Sequence, residues 1–162
     1  MRRKIITLPM YDPQKANLPK RSNYIGSMAW LRAVQEAVGK PIIFALDQAF
    51  MCQGNFGGRS DEFVIWIYGD TCLEKYNGIV VLDNEINSSC VEWKNGVLFT
   101  NFERTVLDAF AYESVLDMQG ITEALNKYYY TNGESFNGLS LPEEYQEQFN
   151  KIANEAVEYH NS

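Results

Sequence analysis

The spacing of apolar residues divides the chain into helical ends and a β-rich middle. Between residues 27 and 38 the apolar side chains recur three and four positions apart, and Gly39 and Pro41 follow, which predicts an amphipathic helix. A second, shorter helix is predicted over 44–52, ending at the glycine-rich stretch 54–58. We expect these two segments to pack as a helical pair.

The middle third has the composition of strands. Residues 62–68 are rich in β-branched and aromatic side chains and apolar on both faces, which is typical of an inner strand, and 78–82 predicts another. Two further strands, 90–94 and 97–100, flank Asn95–Gly96. This dipeptide favours a two-residue hairpin because both turn positions need positive φ. The pattern therefore predicts a small, mainly antiparallel sheet.

Helical spacing returns in the last third. Thr100-x-x-Glu103 predicts a capping box at the start of a helix, and the helical period recurs over 121–128. A final helix has a predicted apolar stripe of Tyr145, Phe149, Ile152 and Ala156. The whole pattern predicts an α+β fold in which N-terminal and C-terminal helices pack on the sheet, with one domain over 23–162.

Composition narrows the class of protein. The chain has 162 residues, 46% of them hydrophobic and 22% charged, as expected for one globular domain. No apolar run reaches the roughly 18 residues of a membrane helix, so we expect a cytoplasmic protein that does not contact a membrane.

Three cysteines without C-x-x-C spacing argue against disulfides and zinc, so no metal or cofactor is expected. The one histidine, His160, lies near the end of the sequence, which removes the Ser-His-Asp and Cys-His arrangements from the body of the chain.

Charge is distributed unevenly. Residues 1–40 carry eight Lys and Arg against two acidic residues, a net charge of +6, whereas the remainder has a net charge of -13. Residues 1–22 are predicted to be a basic, proline-containing arm outside the core that contacts nucleic acid, an acidic partner or the acidic body itself. The candidate phosphate-binding residues of this arm are Arg2, Arg3, Lys4, Lys20 and Arg21.

Aromatic residues offer a second candidate surface. The run Tyr128-Tyr129-Tyr130 could stack on the bases of single-stranded nucleic acid, with Tyr129 and Tyr130 as the candidate contacts. Helical geometry separates successive side chains by about 100°, so we expect one of the three to enter the core and the others to lie at the edge of the surface.

Asp83, Glu92 and Lys94 follow the order of a PD-(D/E)xK nuclease, in which two carboxylates bind a divalent metal and a lysine assists the attack of water. Lys94 lies directly before the predicted turn, however, at an exposed hairpin tip. Charges on a solvated hairpin face are the commoner explanation of this pattern.

The stretch Asn95-Gly-Val-Leu-Phe-Thr-Asn-Phe-Glu-Arg-Thr-Val-Leu-Asp-Ala-Phe110 resembles a family signature. The signature, G-hydrophobic-x-hydrophobic-T-x-x-E-R-T-hydrophobic-hydrophobic-D, belongs to the C-terminal domain of AbiEi-type antitoxins from abortive-infection (type IV) toxin–antitoxin systems. Its polar positions are occupied here by Thr100, Glu103, Arg104, Thr105 and Asp108. The family usually has Pro where this chain has Phe102. It usually begins with a winged helix-turn-helix, which residues 1–22 are too short to supply.

The resemblance implies a non-enzymatic protein of bacterial or phage defence that neutralises a nucleotidyltransferase-like toxin by binding it. Arg104 and Asp108, four residues apart on the predicted helix, are then structural anchors and not catalytic groups. Two alternatives remain open. One is a phage anti-defence inhibitor, resembling inhibitors of CRISPR effectors, whose acidic surface imitates DNA. The other is the metal-dependent nuclease.

Overall fold

The computed structural model describes residues 4–5, 8–55, 64–113 and 118–159. Within them the chain forms seven strands and five α-helices. The strands are β1 (Lys4–Ile5), β2 (Ile43–Phe44), β3 (Ile65–Tyr68), β4 (Ile79–Asp83), β5 (Val91–Lys94), β6 (Val97–Thr100) and β7 (Tyr112–Glu113). The helices are α1 (Ser27–Val38), α2 (Leu46–Cys52), α3 (Phe102–Ala111), α4 (Met118–Thr131) and α5 (Glu143–Tyr159).

Five strands form one sheet in the order β4-β3-β2-β6-β5, and β1 pairs separately with β7. The predicted α+β class is confirmed, but the sheet is mixed and not mainly antiparallel. The β2/β3 and β5/β6 pairs are antiparallel, whereas β2/β6 and β3/β4 are parallel. The parallel pairs form because the chain between their strands is long enough to cross over, whereas a two-residue hairpin can join only antiparallel strands. A 3-10 turn at Thr71–Lys75 lies in the crossover from β3 to β4.

Helices cover both faces of the sheet. The residues of β3 alternate between two cores, and all four are buried, which confirms the predicted inner strand. Ile65 and Ile67 pack with α1, whereas Trp66 and Tyr68 pack with α3, α4 and α5. The predicted stripe of the last helix is buried in the second of these cores.

The helix predicted over 44–52 begins two residues later than expected. Ile43 and Phe44 form β2, the central strand, which pairs with β3 on one side and β6 on the other. The hairpin is as predicted: Asn95 and Gly96 have φ of 54° and 86°, and both lie in the left-handed region. Residues 62 and 63 of the predicted strand lie outside the described residues. Among the described helices, none has the length and apolar character needed to cross a membrane.

The proline-containing arm packs against the domain between residues 12 and 19. The side chain of Asn77, 8% exposed, accepts from the Asp12 N–H at 2.9 Å and donates to the Asp12 carbonyl at 2.9 Å. The Trp30 indole N–H donates to the carbonyl of Pro19 at 2.8 Å, and Leu18 packs on the α1 core. The arm is therefore attached to the domain by hydrogen bonds, and its partly buried Leu18 packs against the core from outside.

Candidate functional site

The residues of the antitoxin-like signature form one continuous unit of hairpin, turn and helix α3. The helix is capped by Asn101, whose side-chain oxygen accepts from the Arg104 N–H at 2.8 Å. The capping box predicted for Thr100 and Glu103 is therefore wrong. Because α3 begins at Phe102, Thr100 remains in β6. The Glu103 carboxylate instead accepts from the Ser140 N–H at 2.8 Å, which ties α3 to the loop before α5.

The two threonines of the signature form a buried hydroxyl pair. Thr100 Oγ1 and Thr105 Oγ1 lie 2.7 Å apart, and both residues are fully buried. Thr105 Oγ1 also donates to the Asn101 carbonyl at 2.7 Å. The amide of Gln53, at the end of α2, donates to Thr105 Oγ1 at 3.0 Å and to the Thr100 carbonyl at 2.8 Å. This network fixes the strand-to-helix turn and joins it to α2.

Arg104 and Asp108 form a cluster with Tyr68, the last residue of β3. Arg104 Nε donates to Asp108 Oδ1 at 3.1 Å, and Arg104 Nη2 donates to the Tyr68 hydroxyl at 2.9 Å. The Tyr68 hydroxyl lies 2.9 and 2.8 Å from the two Asp108 carboxylate oxygens. The guanidinium carbon also lies 5.3 Å from the centre of the Tyr68 ring. Asp108 is 1% exposed, and the positive charge of Arg104 and the Tyr68 hydroxyl group both stabilise its buried carboxylate.

The pKa shifts in the cluster follow from its burial and its charges. Burial lowers the pKa of Arg104, but the Asp108 carboxylate and the Tyr68 hydroxyl raise it by more, so the net pKa is above its ordinary value. Burial, and then Asp108, raises the pKa of Tyr68. The same two causes raise the pKa of Tyr112 to about 12. At neutral pH Arg104 is therefore charged, and Tyr68 and Tyr112 are neutral.

The exposed side of the cluster borders an open cavity of about 780 Å³. The cavity lies where the parallel strands β3 and β4 end, and the loop of residues 83–87 forms its rim. Asp83 and Glu85 in this loop are exposed. Among the described residues that line the cavity, Arg104 is the one with a positive charge. The exposed carboxylates of the rim suit a basic or hydrogen-bond-donating group of a partner.

The three residues of the nuclease pattern are not brought together. Asp83 ends β4, whereas Glu92 and Lys94 lie on β5, and these are the two outermost strands of the sheet. Four strand spacings of about 4.8 Å place the two edges roughly 19 Å apart. Metal ligands must lie within about 2.6 Å of one ion, so Asp83 and Glu92 cannot share it. In the described residues there is no group of three or more His, Cys, Asp or Glu arranged to hold a metal.

Two of the five candidate arm residues have described side chains. Lys20 is exposed, and Arg21 is half-buried, with Nη2 donating to Ser27 Oγ at 3.1 Å and its guanidinium carbon 6.0 Å from the centre of the Trp30 ring. Arg2 and Arg3 lie outside the described residues, and Lys4 lies in β1. Arg21 therefore contributes to attaching the arm to α1.

The candidate tyrosines make intramolecular contacts. Tyr128 stacks on Phe102, with ring centres 4.9 Å apart. Tyr129 packs against Phe136 at 4.9 Å, and the Tyr130 hydroxyl donates to a backbone carbonyl of α5 at 3.1 Å. These rings lie on the α4 and α5 side of the sheet, whereas Arg21 packs against Ser27 and Trp30 of α1. Among the described side chains, the structure therefore does not bring Arg21 next to these tyrosines.

Tyr68 and Gln53 belong to the site, although the sequence alone did not identify them. Tyr68 is 40 residues from Asp108, and Gln53 is 52 residues from Thr105. Local spacing contains no signal of either contact. No family model, curated protein or solved structure matches this chain. The antitoxin resemblance therefore depends on the signature residues themselves.

Proposed function

We propose that this protein is a non-enzymatic, AbiEi-antitoxin-like protein of a bacterial or phage defence system, and that it neutralises a nucleotidyltransferase-like toxin by binding it. The observation that carries the proposal is the signature over 95–110. Its buried polar residues Thr100, Thr105 and Asp108 make the contacts that fix α3 to the sheet and to α2. We infer that these contacts maintain the shape that the protein needs in order to bind its partner.

We propose that the toxin contacts the acidic rim formed by residues 83–87. A nucleotidyltransferase must bind the phosphates of its nucleotide, and basic side chains are the usual means of doing so. The exposed carboxylates of Asp83 and Glu85 complement such a basic surface. The rim adjoins Arg104 and Tyr68. The cluster that these two residues form with Asp108 would therefore hold in place the end of the sheet that carries the rim.

The test is co-expression of the full chain with nucleotidyltransferase-like toxins of the AbiE class, followed by measurement of binding with the purified proteins. We expect growth to be rescued and a stable complex to form with at least one toxin. Glu85→Lys should weaken the complex at least tenfold. Glu155→Lys, an identical charge change on the exposed side of α5, is the matched control and should leave it unchanged. Absence of both rescue and binding across such toxins would overturn the proposal.

A second candidate, the DNA-mimicking inhibitor, is favoured by one observation. Five glutamates lie exposed along α5: Glu143, Glu144, Glu147, Glu155 and Glu158. A row of carboxylates on a helix could occupy a basic groove that normally binds a nucleic-acid backbone. The same two variants separate the candidates, because the mimic requires Glu155→Lys to be the damaging change and Glu85→Lys to be neutral. Competition with duplex DNA for a CRISPR effector is the direct measurement.

A further inference from the structure

Within the part of the chain that the structure describes, strand β5 is an open edge of the sheet. It is the outermost strand, and its residues Glu92, Trp93 and Lys94 are exposed. Trp93 is 70% exposed, although tryptophan is normally among the more buried residues. An edge strand presents unpaired backbone groups that can pair with another strand. The exposed tryptophan adds a large apolar surface at the same place.

The hairpin geometry determines which backbone groups face outward. Lys94 pairs with Val97 across the two-residue turn, and hydrogen-bonded and non-hydrogen-bonded pairs then alternate along the ladder. Lys94 and Glu92 therefore direct their N–H and C=O groups toward β6. Trp93 belongs to a non-hydrogen-bonded pair, so its N–H and C=O point to the open edge.

We propose that β5 pairs with β5 of a second copy of this chain, antiparallel, about a two-fold axis at Trp93. In this register the two Trp93 residues face each other and exchange both backbone hydrogen bonds. Glu92 faces the partner's Lys94, and Lys94 faces the partner's Glu92. Both ion pairs occupy non-hydrogen-bonded positions, where facing Cα atoms come within about 4.5 Å and side chains are closest.

The charges of Glu92 and Lys94 favour this register over the two in which the axis lies one residue earlier or later. A symmetric antiparallel pair must have one residue on the axis, because facing residues lie on the same side of the sheet. An axis at Glu92 places two carboxylates opposite each other, and an axis at Lys94 places two ammonium groups opposite each other. Like charges in directly facing positions are destabilising. Of these three registers, only the one with its axis at Trp93 places each Glu92 opposite the Lys94 of the other copy, which gives two attractive pairs.

The proposed dimer extends the five-stranded sheet into a continuous sheet of ten strands. Because each β5 has only four residues, the contact is small and belongs with weak, concentration-dependent assemblies. The dimer depends on ion pairs at an exposed edge, so it should weaken as salt concentration rises. It goes beyond the proposed function because it needs no toxin.

Sedimentation velocity of the full chain over a range of concentrations at low salt tests the proposal. We expect a monomer–dimer equilibrium. Lys94→Glu and Glu92→Lys should each weaken it about tenfold, because each variant places like charges opposite each other. A one-to-one mixture of the two variants should restore dimers, since the mixed pair again has unlike charges in both facing positions. Trp93→Ala should weaken the dimer, and Lys151→Glu, the same charge change on exposed α5, should not.

Circular dichroism of every variant checks that the hairpin remains folded. A chain that stays monomeric at all concentrations would overturn the proposal. So would a dimer that is unaffected by Lys94→Glu, or folded charge variants that do not associate when mixed. These outcomes are measured without toxin and therefore do not depend on whether the antitoxin proposal holds.

Discussion

Removing the carboxylate of Asp108 tests whether the signature cluster is structural. Asp108→Ala leaves the Tyr68 hydroxyl without its carboxylate partner and the Arg104 guanidinium without its counter-ion. Breaking a buried ion pair by removing one partner costs about 3–5 kcal/mol. The Arg104 side chain is 29% exposed and can recover some hydration, so we expect the lower end, about 3 kcal/mol. For a chain of this length that corresponds to a fall in Tm of roughly 6–12 °C.

Companion variants separate the contributions of charge and shape. Asp108→Asn keeps the shape and one acceptor oxygen, so it should cost less than Asp108→Ala. Arg104→Ala and the double variant complete a double-mutant cycle, and a pair in direct contact should show a coupling of about 1–3 kcal/mol. Glu85→Ala, which removes an exposed carboxylate from the nearby rim, is the control and should change stability by less than about 0.5 kcal/mol.

The assay is urea unfolding of each variant, together with toxin binding measured both near the lowered Tm of Asp108→Ala and at temperatures well below it. The structural interpretation requires stability and binding to fall together in Asp108→Ala. It also requires binding to recover at temperatures well below the lowered Tm. Loss of binding with an unchanged Tm would refute the reasoning, because Asp108 would then belong to the interface itself.

Three further predictions concern the cap, the arm and the buried thiol. Asn101→Ala should cost about 1 kcal/mol in urea unfolding, and a neutral result would mean that the α3 cap lies elsewhere. Asn77→Ala should cost about 1–3 kcal/mol and increase hydrogen exchange in residues 12–17, whereas unchanged exchange would contradict the attachment of the arm. Burial raises the pKa of Cys52 from 9.0 to about 12, so the unfolded state loses its proton first. Stability should therefore fall between pH 9 and 12, by up to about 1.4 kcal/mol per pH unit, and pH titration of Cys52→Ala should show a shallower fall.

Local sequence signals predicted most of the elements but not the centre of the sheet. The hairpin followed from Asn95–Gly96, and α1 from its apolar period and the glycine that ends it, which has a φ of 69°. The central strand β2 was missed because only Ile43 and Phe44 are assigned to it. A two-residue strand has no detectable alternation, and its stability comes from pairing with β3 and β6, which lie far away in sequence.

The candidate site was predictable only in part, for a similar reason. Arg104 and Asp108 are four residues apart on one helix, so their ion pair could be predicted from spacing. The third member, Tyr68, lies at the end of β3 and reaches Asp108 through the fold. The capping box failed because Thr100 pairs with Val91 as the last residue of β6, which is the strand predicted over 97–100, and the cap is the next residue, Asn101. Threonine is suited both to the end of a strand and to a helix cap, and here the pairing of β6 with its neighbouring strand decides which of the two Thr100 becomes.

The two proposed interfaces lie at opposite edges of the sheet and should not compete. Paired positions run across all five strands, from Trp93 through Leu98, Ile43 and Tyr68 to Asp83. The open edge at Trp93 is therefore separated from the acidic rim at Asp83 by about 19 Å within one copy. Pairing through β5 would leave both acidic rims at the outer edges of the joined sheet. A dimer should then bind two toxin molecules, and Lys94→Glu should alter the size of the complex while leaving the affinity of each rim unchanged.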